Sequence, residues 1–113
     1  MVNVFNLTKT KTPTIQWKKI KETILGKKYI LSVILAGDTK IRSLNKKYRK
    51  KDKSTNTLSF KFLENEGEIF LNIKYPKEEL TRLFIHSLLH LKNLEHGKEM
   101  EKEEEKYLTK FTI

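Results

Sequence analysis

The sequence predicts an α+β fold, a mixed four-stranded sheet packed with about four helices in the order β-α-β-α-β-β-α-α, within a single domain over residues 1–113. Three observations predict it. Residues 29–36 form an almost unbroken apolar run rich in β-branched side chains, which reads as a central strand covered on both faces. Residues 57–62 alternate cleanly, and a polar turn and a second apolar stretch follow them, which reads as a hairpin. Between and after these strands the apolar residues recur at helical spacing. A chain of 113 residues is long enough to bury one modest core.

Taken in order, residues 2–7 read as a short first strand. Thr12 and Pro13 offer an N-cap followed by proline in the first helical position, and Trp17, Ile20 and Ile24 mark one helical face that Gly26 ends. After the central strand, Gly37 and Asp38 turn into a second helix with Ile41, Leu44 and Tyr48 inward and Lys46, Lys47 and Lys50 outward. In the alternating strand Leu58, Phe60 and Phe62 share one face; Thr57, Ser59 and Lys61 share the other. Residues 64–67 form the turn and 68–73 the returning strand. Pro76 opens the third helix, where Glu78 and Glu79 suit the positive end of the helix dipole. Leu80, Leu83, Phe84, Leu88 and Leu91 make its core stripe, with His86 and His90 on the flank. Asn93 suits a left-handed helix stop. Residues 99–111 form a last, highly charged helix in which Glu99/Lys102 and Glu103/Lys106 are spaced to pair.

The chain has no cysteine, which excludes disulfides, thiolate metal sites and thiol nucleophiles. No apolar run approaches the length of a membrane span, and the N-terminal residues lack the charged-then-apolar order of a signal peptide, so a cytoplasmic protein without membrane association is expected. The formal charge of +10 is unevenly placed. Residues 1–53 hold 15 Lys and Arg against 3 acids, a balance of +12; residues 54–113 hold 9 against 11, a balance of −2. A basic half suits a polyanionic substrate, because cations that neutralise phosphates release counterions. A lysine-rich composition by itself accounts for many of the individual lysines equally well.

All three histidines fall within eleven residues, as His86, His90 and His96. On a helix, residues four apart lie on one face, so His86 and His90 can aim two imidazoles at one ion, and His96, past the helix end, can supply a third. Three neutral nitrogen ligands with a fourth position open are the pattern of a catalytic zinc site, in which bound water becomes acidic enough to supply hydroxide near neutral pH. Ordinary surface or core histidines are the bland alternative, and three of three at this spacing favour the metal. The zinc-protease helix motif needs Glu directly after the first His; Ser87 stands there instead, so that general base is missing.

A second constellation runs from Asn45 through Tyr48, Arg49, Lys51, Asp52, Ser54, Thr55 and Asn56 to Phe60, a dense set of cations and hydroxyls. Arg49 stands out because a guanidinium holds a phosphate with two parallel hydrogen bonds. Solvated helix-end cations interacting with the dipole account for Arg49, Lys50 and Lys51 as well, and Asp52 equally suits a turn or cap.

The two constellations together resemble the YbeY family of bacterial metal-dependent endoribonucleases. The family pattern H-G-x-L-H-L-x-G-Y-D-H is matched by His86, Leu89, His90, Leu91 and His96 at identical spacing. The pattern N-x-x-Y-R-x-K-D-x-P-T-D-V-L-S-F is matched by Asn45, Tyr48, Arg49, Lys51, Asp52, Thr55, Leu58, Ser59 and Phe60, and a G-D-I strand appears as Gly67, Glu68 and Ile69. The resemblance covers about residues 38–97. Ser87 and Asn93 replace glycines, Glu95 replaces an Asp, Asn56 an Asp and Ser54 a Pro, and the 62–67 turn is shortened. If the missing Asp orders the polar loop through its charge, the loop here is more weakly ordered.

The resemblance implies one zinc per chain on His86, His90 and His96, with Arg49 catalytic beside them. It implies an endoribonuclease specific for single-stranded RNA, acting on ribosomal RNA precursors in 16S 3′-end maturation and ribosome quality control. Partners are then ribosomal RNA and small ribosomal subunit proteins, with no preference for DNA. Lys46, Lys47, Lys50 and Lys51 are the expected RNA-binding cations. The attacking group is either metal hydroxide or the substrate 2′-OH. A different class of reading is a ribosome-associated RNA-binding assembly factor whose zinc is structural or vestigial. A small-substrate metal hydrolase fits the basic half less well.

Overall fold

Along the chain the elements are β1 (Val2–Asn6), α1 (Trp17–Leu25), β2 (Ile30–Ala36), α2 (Asp38–Arg49), β3 (Thr57–Leu63), β4 (Glu66–Asn72), α3 (Lys77–Leu91) and α4 (Lys98–Phe111). The computed structural model describes residues 1–94 and 97–111. The four strands form one sheet in the order β1-β2-β4-β3, parallel from β1 to β4 and antiparallel between β4 and β3. The predicted class and element order are those observed.

Period-two alternation explains the layering. Leu31, Val33, Leu35, Ile69 and Leu71 point to one face, where they pack against Ile20 and Ile24 of α1 and Leu80, Phe84 and Leu88 of α3. Ile34, Ala36, Leu58 and Phe70 point to the other, against Ile41 of α2. α4 lies on α3 through Met100 and Tyr107, with Leu108 and Phe111 partly buried beside them. β2 is covered on both faces only toward its C-terminal half, since Ile30 at its start is exposed.

α3 is more deeply enclosed than its predicted stripe implies. Besides that stripe, Thr81, Ile85, Ser87 and Leu89 are buried, because α4, α1 and the sheet together cover flanks the periodicity leaves open. Burying each Leu, Ile or Phe contributes about 1.5–3 kcal/mol, so tertiary packing fixes this helix, and side chains on its remaining face are carried on a rigid element.

Several local expectations are corrected. α1 begins at Trp17, with Gln16 at the N-cap, rather than at Thr12 and Pro13. Thr12 Oγ1 instead accepts from Asn6 Nδ2 at 2.9 Å, and the segment runs on so that Ile15 enters the core before the helix starts. Tyr48 is not inward: its ring is largely exposed and packs edge-on against Phe60 at 5.6 Å. β4 begins at Glu66, leaving only Glu64 and Asn65 as turn, and Pro76 occupies the N-cap of α3 rather than its first helical position. Asn93 does take the left-handed conformation, at φ 73°.

Gly67 in β4 faces the core where Tyr29, β3 and the end of α3 converge. A Cβ there would lie 2.5 Å from the Tyr29 hydroxyl, 3.0 Å from the Phe60 carbonyl and 3.2 Å from Leu91 Cδ2. Gly67→Ala should therefore destabilise the fold by about 1–3 kcal/mol, the usual cost of overpacking. Urea unfolding measures it; an unchanged midpoint would show that Tyr29 and Leu91 give way without cost.

Candidate functional site

α3 presents His86 and His90 one turn apart on the flank left clear of the core. Their Nε2 atoms are 3.1 Å apart, with the rings nearly perpendicular at 85°. Two nitrogens on one tetrahedral zinc, at about 2.0–2.1 Å each, stand roughly 3.3 Å from one another. The pair thus has the spacing of a two-nitrogen chelate. His96, the third expected ligand, and Glu95 lie outside the described residues. Among the described residues no group of three His, Cys, Asp or Glu is arranged to hold a metal. On its other side, His86 Nδ1 lies 3.0 Å from Glu104 Oε2 of α4, a contact that no sequence pattern singled out.

The histidines form one wall of a groove of about 770 Å³. Thr57, Leu58 and Ser59 of β3, Lys51, Lys53, Thr55 and Asn56 of the loop between α2 and β3, and Asn45 and Arg49 at the end of α2 line the rest of it. The structure brings Arg49 and Lys51 together with His86 and His90. Lys46, Lys47 and Lys50 do not line the groove: they are exposed on α2 and its cap, and Lys47 sits over the Tyr48 ring at 5.2 Å. Lys53 takes their place. Its signal was present in the polar loop, but helix periodicity gave no reason to separate it from its neighbours.

Arg49 is held in the groove from two sides. One terminal nitrogen donates to the Ser59 carbonyl at 2.8 Å, and the guanidinium lies 5.3 Å from the Phe60 ring centroid. The chain then reverses through Lys50 in the left-handed conformation, at φ 57°.

The following loop is tied down at successive points. Asn45 Nδ2 donates to the Lys53 carbonyl at 2.9 Å, and Arg42 Nε pairs with Asp52 at 2.8 Å. Ser54 Oγ donates to Asp38 at 2.9 Å, and the Asn72 amide N–H donates to the Asn56 carbonyl at 2.9 Å. Asn56 is thus held by its backbone and Ser54 through its hydroxyl. Asp52 is an ion-pair partner, and Arg42 beside it holds its carboxyl below the usual range.

The chain matches the family described as Endoribonuclease YbeY over residues 3–112. Proteins named Endoribonuclease YbeY from Thermodesulfovibrio yellowstonii and Neorickettsia sennetsu are 38% and 34% identical to it, over 71% and 85% of this chain. Those matches span 65% and 82% of the relatives' own lengths. The similarly named Aquifex aeolicus protein is 34% identical over 78% of this chain and 71% of its own. The solution structure of a Thermotoga maritima protein shares the fold, with a TM-score of 0.64 at 24% identity, over 96% of this chain and 87% of the other.

Hydrogen bonds from Asn72, Lys74 and Ser54 hold the Asp38 carboxyl below its ordinary range. A depressed folded pKa adds stability that is complete above the unfolded value, about 3.9, and is lost as pH falls through the folded value. Thermal melts of wild type and Asp38→Asn should differ most near neutral pH and converge below about pH 4. A gap constant down to strong acid would mean that the Asp38 charge does not stabilise the loop.

Proposed function

Because the chain belongs to the Endoribonuclease YbeY family, we propose that it cleaves RNA internally, as a zinc-dependent endoribonuclease acting on single-stranded ribosomal RNA precursors. The observation that carries this reading is the meeting of Arg49, Lys51 and Lys53 with the His86–His90 pair in one groove. The converging Nε2 atoms fit the metal, and neutral imidazoles are good zinc ligands. His86, His90 and His96 would hold it. When bound, such an ion supplies Lewis acidity toward a phosphoryl oxygen or a water.

The chain's own residues bind and orient the backbone. Lys51 and Lys53 attract the phosphates that flank the scissile one, which favours a strand able to follow the groove. Arg49 has five N–H donors, of which one is committed to Ser59. The others are left to meet non-bridging phosphate oxygens, and the contacts with Ser59 and Phe60 orient the guanidinium in advance. Preorganised donors of this kind stabilise charge as it builds in the transition state without reorganisation at that moment. Thr55, Asn56 and Ser59 add polar contacts along the same path.

Arg49→Lys should lower the cleavage rate on the order of 10²–10³-fold while leaving RNA affinity and metal content nearly unchanged, since an ammonium lacks the two-pronged geometry. His90→Ala should lower zinc content as read by elemental analysis. Equal cleavage by wild type and Arg49→Lys removes the catalytic role of Arg49. RNA binding without metal-dependent cleavage by nuclease-free wild type would favour the assembly-factor reading instead.

Charge reversal at Lys51 and Lys53 should weaken RNA binding and flatten its salt dependence more than reversal at Lys46 and Lys47. Fluorescence anisotropy across a salt series measures both. The opposite ranking would move the RNA path from the groove to the outer face of α2.

A further inference from the structure

α4 carries a run of glutamates, and one of them is placed unlike the rest. Met100, Glu104, Tyr107 and Phe111 recur at helical spacing on the side of α4 that packs inward. Glu104 therefore occupies a position in the docking stripe where an apolar side chain would pack without desolvation cost. Its side chain is only 16% exposed, whereas Glu99, Glu101 and Glu105 are exposed.

Two groups face it from α3, and both stand at helical spacing. Glu104 Oε1 is 3.6 Å from an Arg82 terminal nitrogen, and Oε2 is 3.0 Å from His86 Nδ1. The arginine contact is long and its side chain is nearly half exposed, so it contributes little and cannot explain why a carboxylate is held here. The imidazole contact is at hydrogen-bonding distance and lies on the ring nitrogen opposite the one that meets His90.

We propose that Glu104 is a positioning residue for the metal site: by accepting from His86 Nδ1–H it fixes the imidazole as the tautomer whose Nε2 lone pair points toward His90. This rests on the zinc reading above. The physical reason is that a neutral imidazole carries one ring proton, and whichever nitrogen holds it cannot bind a metal. A carboxylate on Nδ1 settles that choice and fixes the ring angle. Glu104 itself touches neither ion nor substrate. It links α4, otherwise a packing element, to the ligand set on α3.

The test uses the full chain and two substitutions, Glu104→Gln and Glu104→Leu. Leucine completes the apolar stripe, so metal-free Glu104→Leu should melt no lower than wild type. Both variants should nonetheless bind Zn²⁺ 10- to 100-fold more weakly in competition with a chelator, the usual loss when a partner of a ligating histidine is removed. In the metal-free wild type at a pH where the ring is neutral, histidine ¹⁵N spectra should show His86 protonated on Nδ1. That preference should weaken or reverse in Glu104→Leu. Variants that bind Zn²⁺ as tightly as wild type, or a wild-type His86 protonated on Nε2, would overturn the proposal while leaving the zinc reading standing. A wild type that binds no Zn²⁺ would take both down.

Discussion

The side chain of Asn72 is wholly buried where β4, α2 and the loop into β3 meet, and the geometry of the groove depends on what it bonds. Its amide donates to Asp38, to Ser54 Oγ and to the Thr55 carbonyl, and its oxygen accepts from the Lys74 amide at 3.2 Å. A buried amide without partners is costly, so these bonds hold the junction together. They join the first residue of α2 to the end of the loop that leaves α2's last residue. Helix and loop are thereby tied together at both ends, and Arg49 sits at the point of reversal between them.

That unit supplies one wall of the site and α3 supplies the other, so the division of charge along the chain becomes a division in space. The basic half contributes Arg49, Lys51 and Lys53; the other half contributes the imidazoles, backed by an acidic helix. The arrangement places phosphate-binding cations across from a site suited to a divalent cation, with the polar hydroxyls of β3 between. Either wall alone is an ordinary protein surface. Their facing arises because β3 is an edge strand, so the loop that precedes it reaches α3 without another strand intervening.

What was legible in the sequence is what local periodicity encodes. The spacing of His86 and His90 follows from helix geometry alone, and the Asn93 stop needs only the tolerance of asparagine for positive φ. The hairpin and the order of elements follow from alternation and turn residues. The start of α1 was misplaced because Thr12 and Pro13 carry a valid local signal that loses to a tertiary one, the insertion of Ile15 into the core. Which cations line the groove was not legible for a related reason. Lys46, Lys47, Lys50 and Lys53 are chemically equivalent in the sequence, and only the folding-back of the loop puts Lys53 beside the histidines. Glu104 was hidden inside a glutamate-rich run, where nothing short of the docking of α4 distinguishes it.

The replacement of a family glycine by Ser87 is more than a small side chain added to a helix. Ser87 is fully buried, and its hydroxyl lies 2.8 Å from Thr57 Oγ1 across the interface of α3 and β3. A buried hydroxyl without a partner costs about 1–3 kcal/mol, so the serine is tolerable because Thr57 faces it. The bond sits beside His86 and ties α3 to Thr57, the first residue of β3. It is one of the contacts that hold the strand carrying Ser59, the anchor of Arg49, against the helix that carries the histidines. Loss of either hydroxyl leaves the other without this partner and so disturbs the junction of α3 and β3 beside the groove.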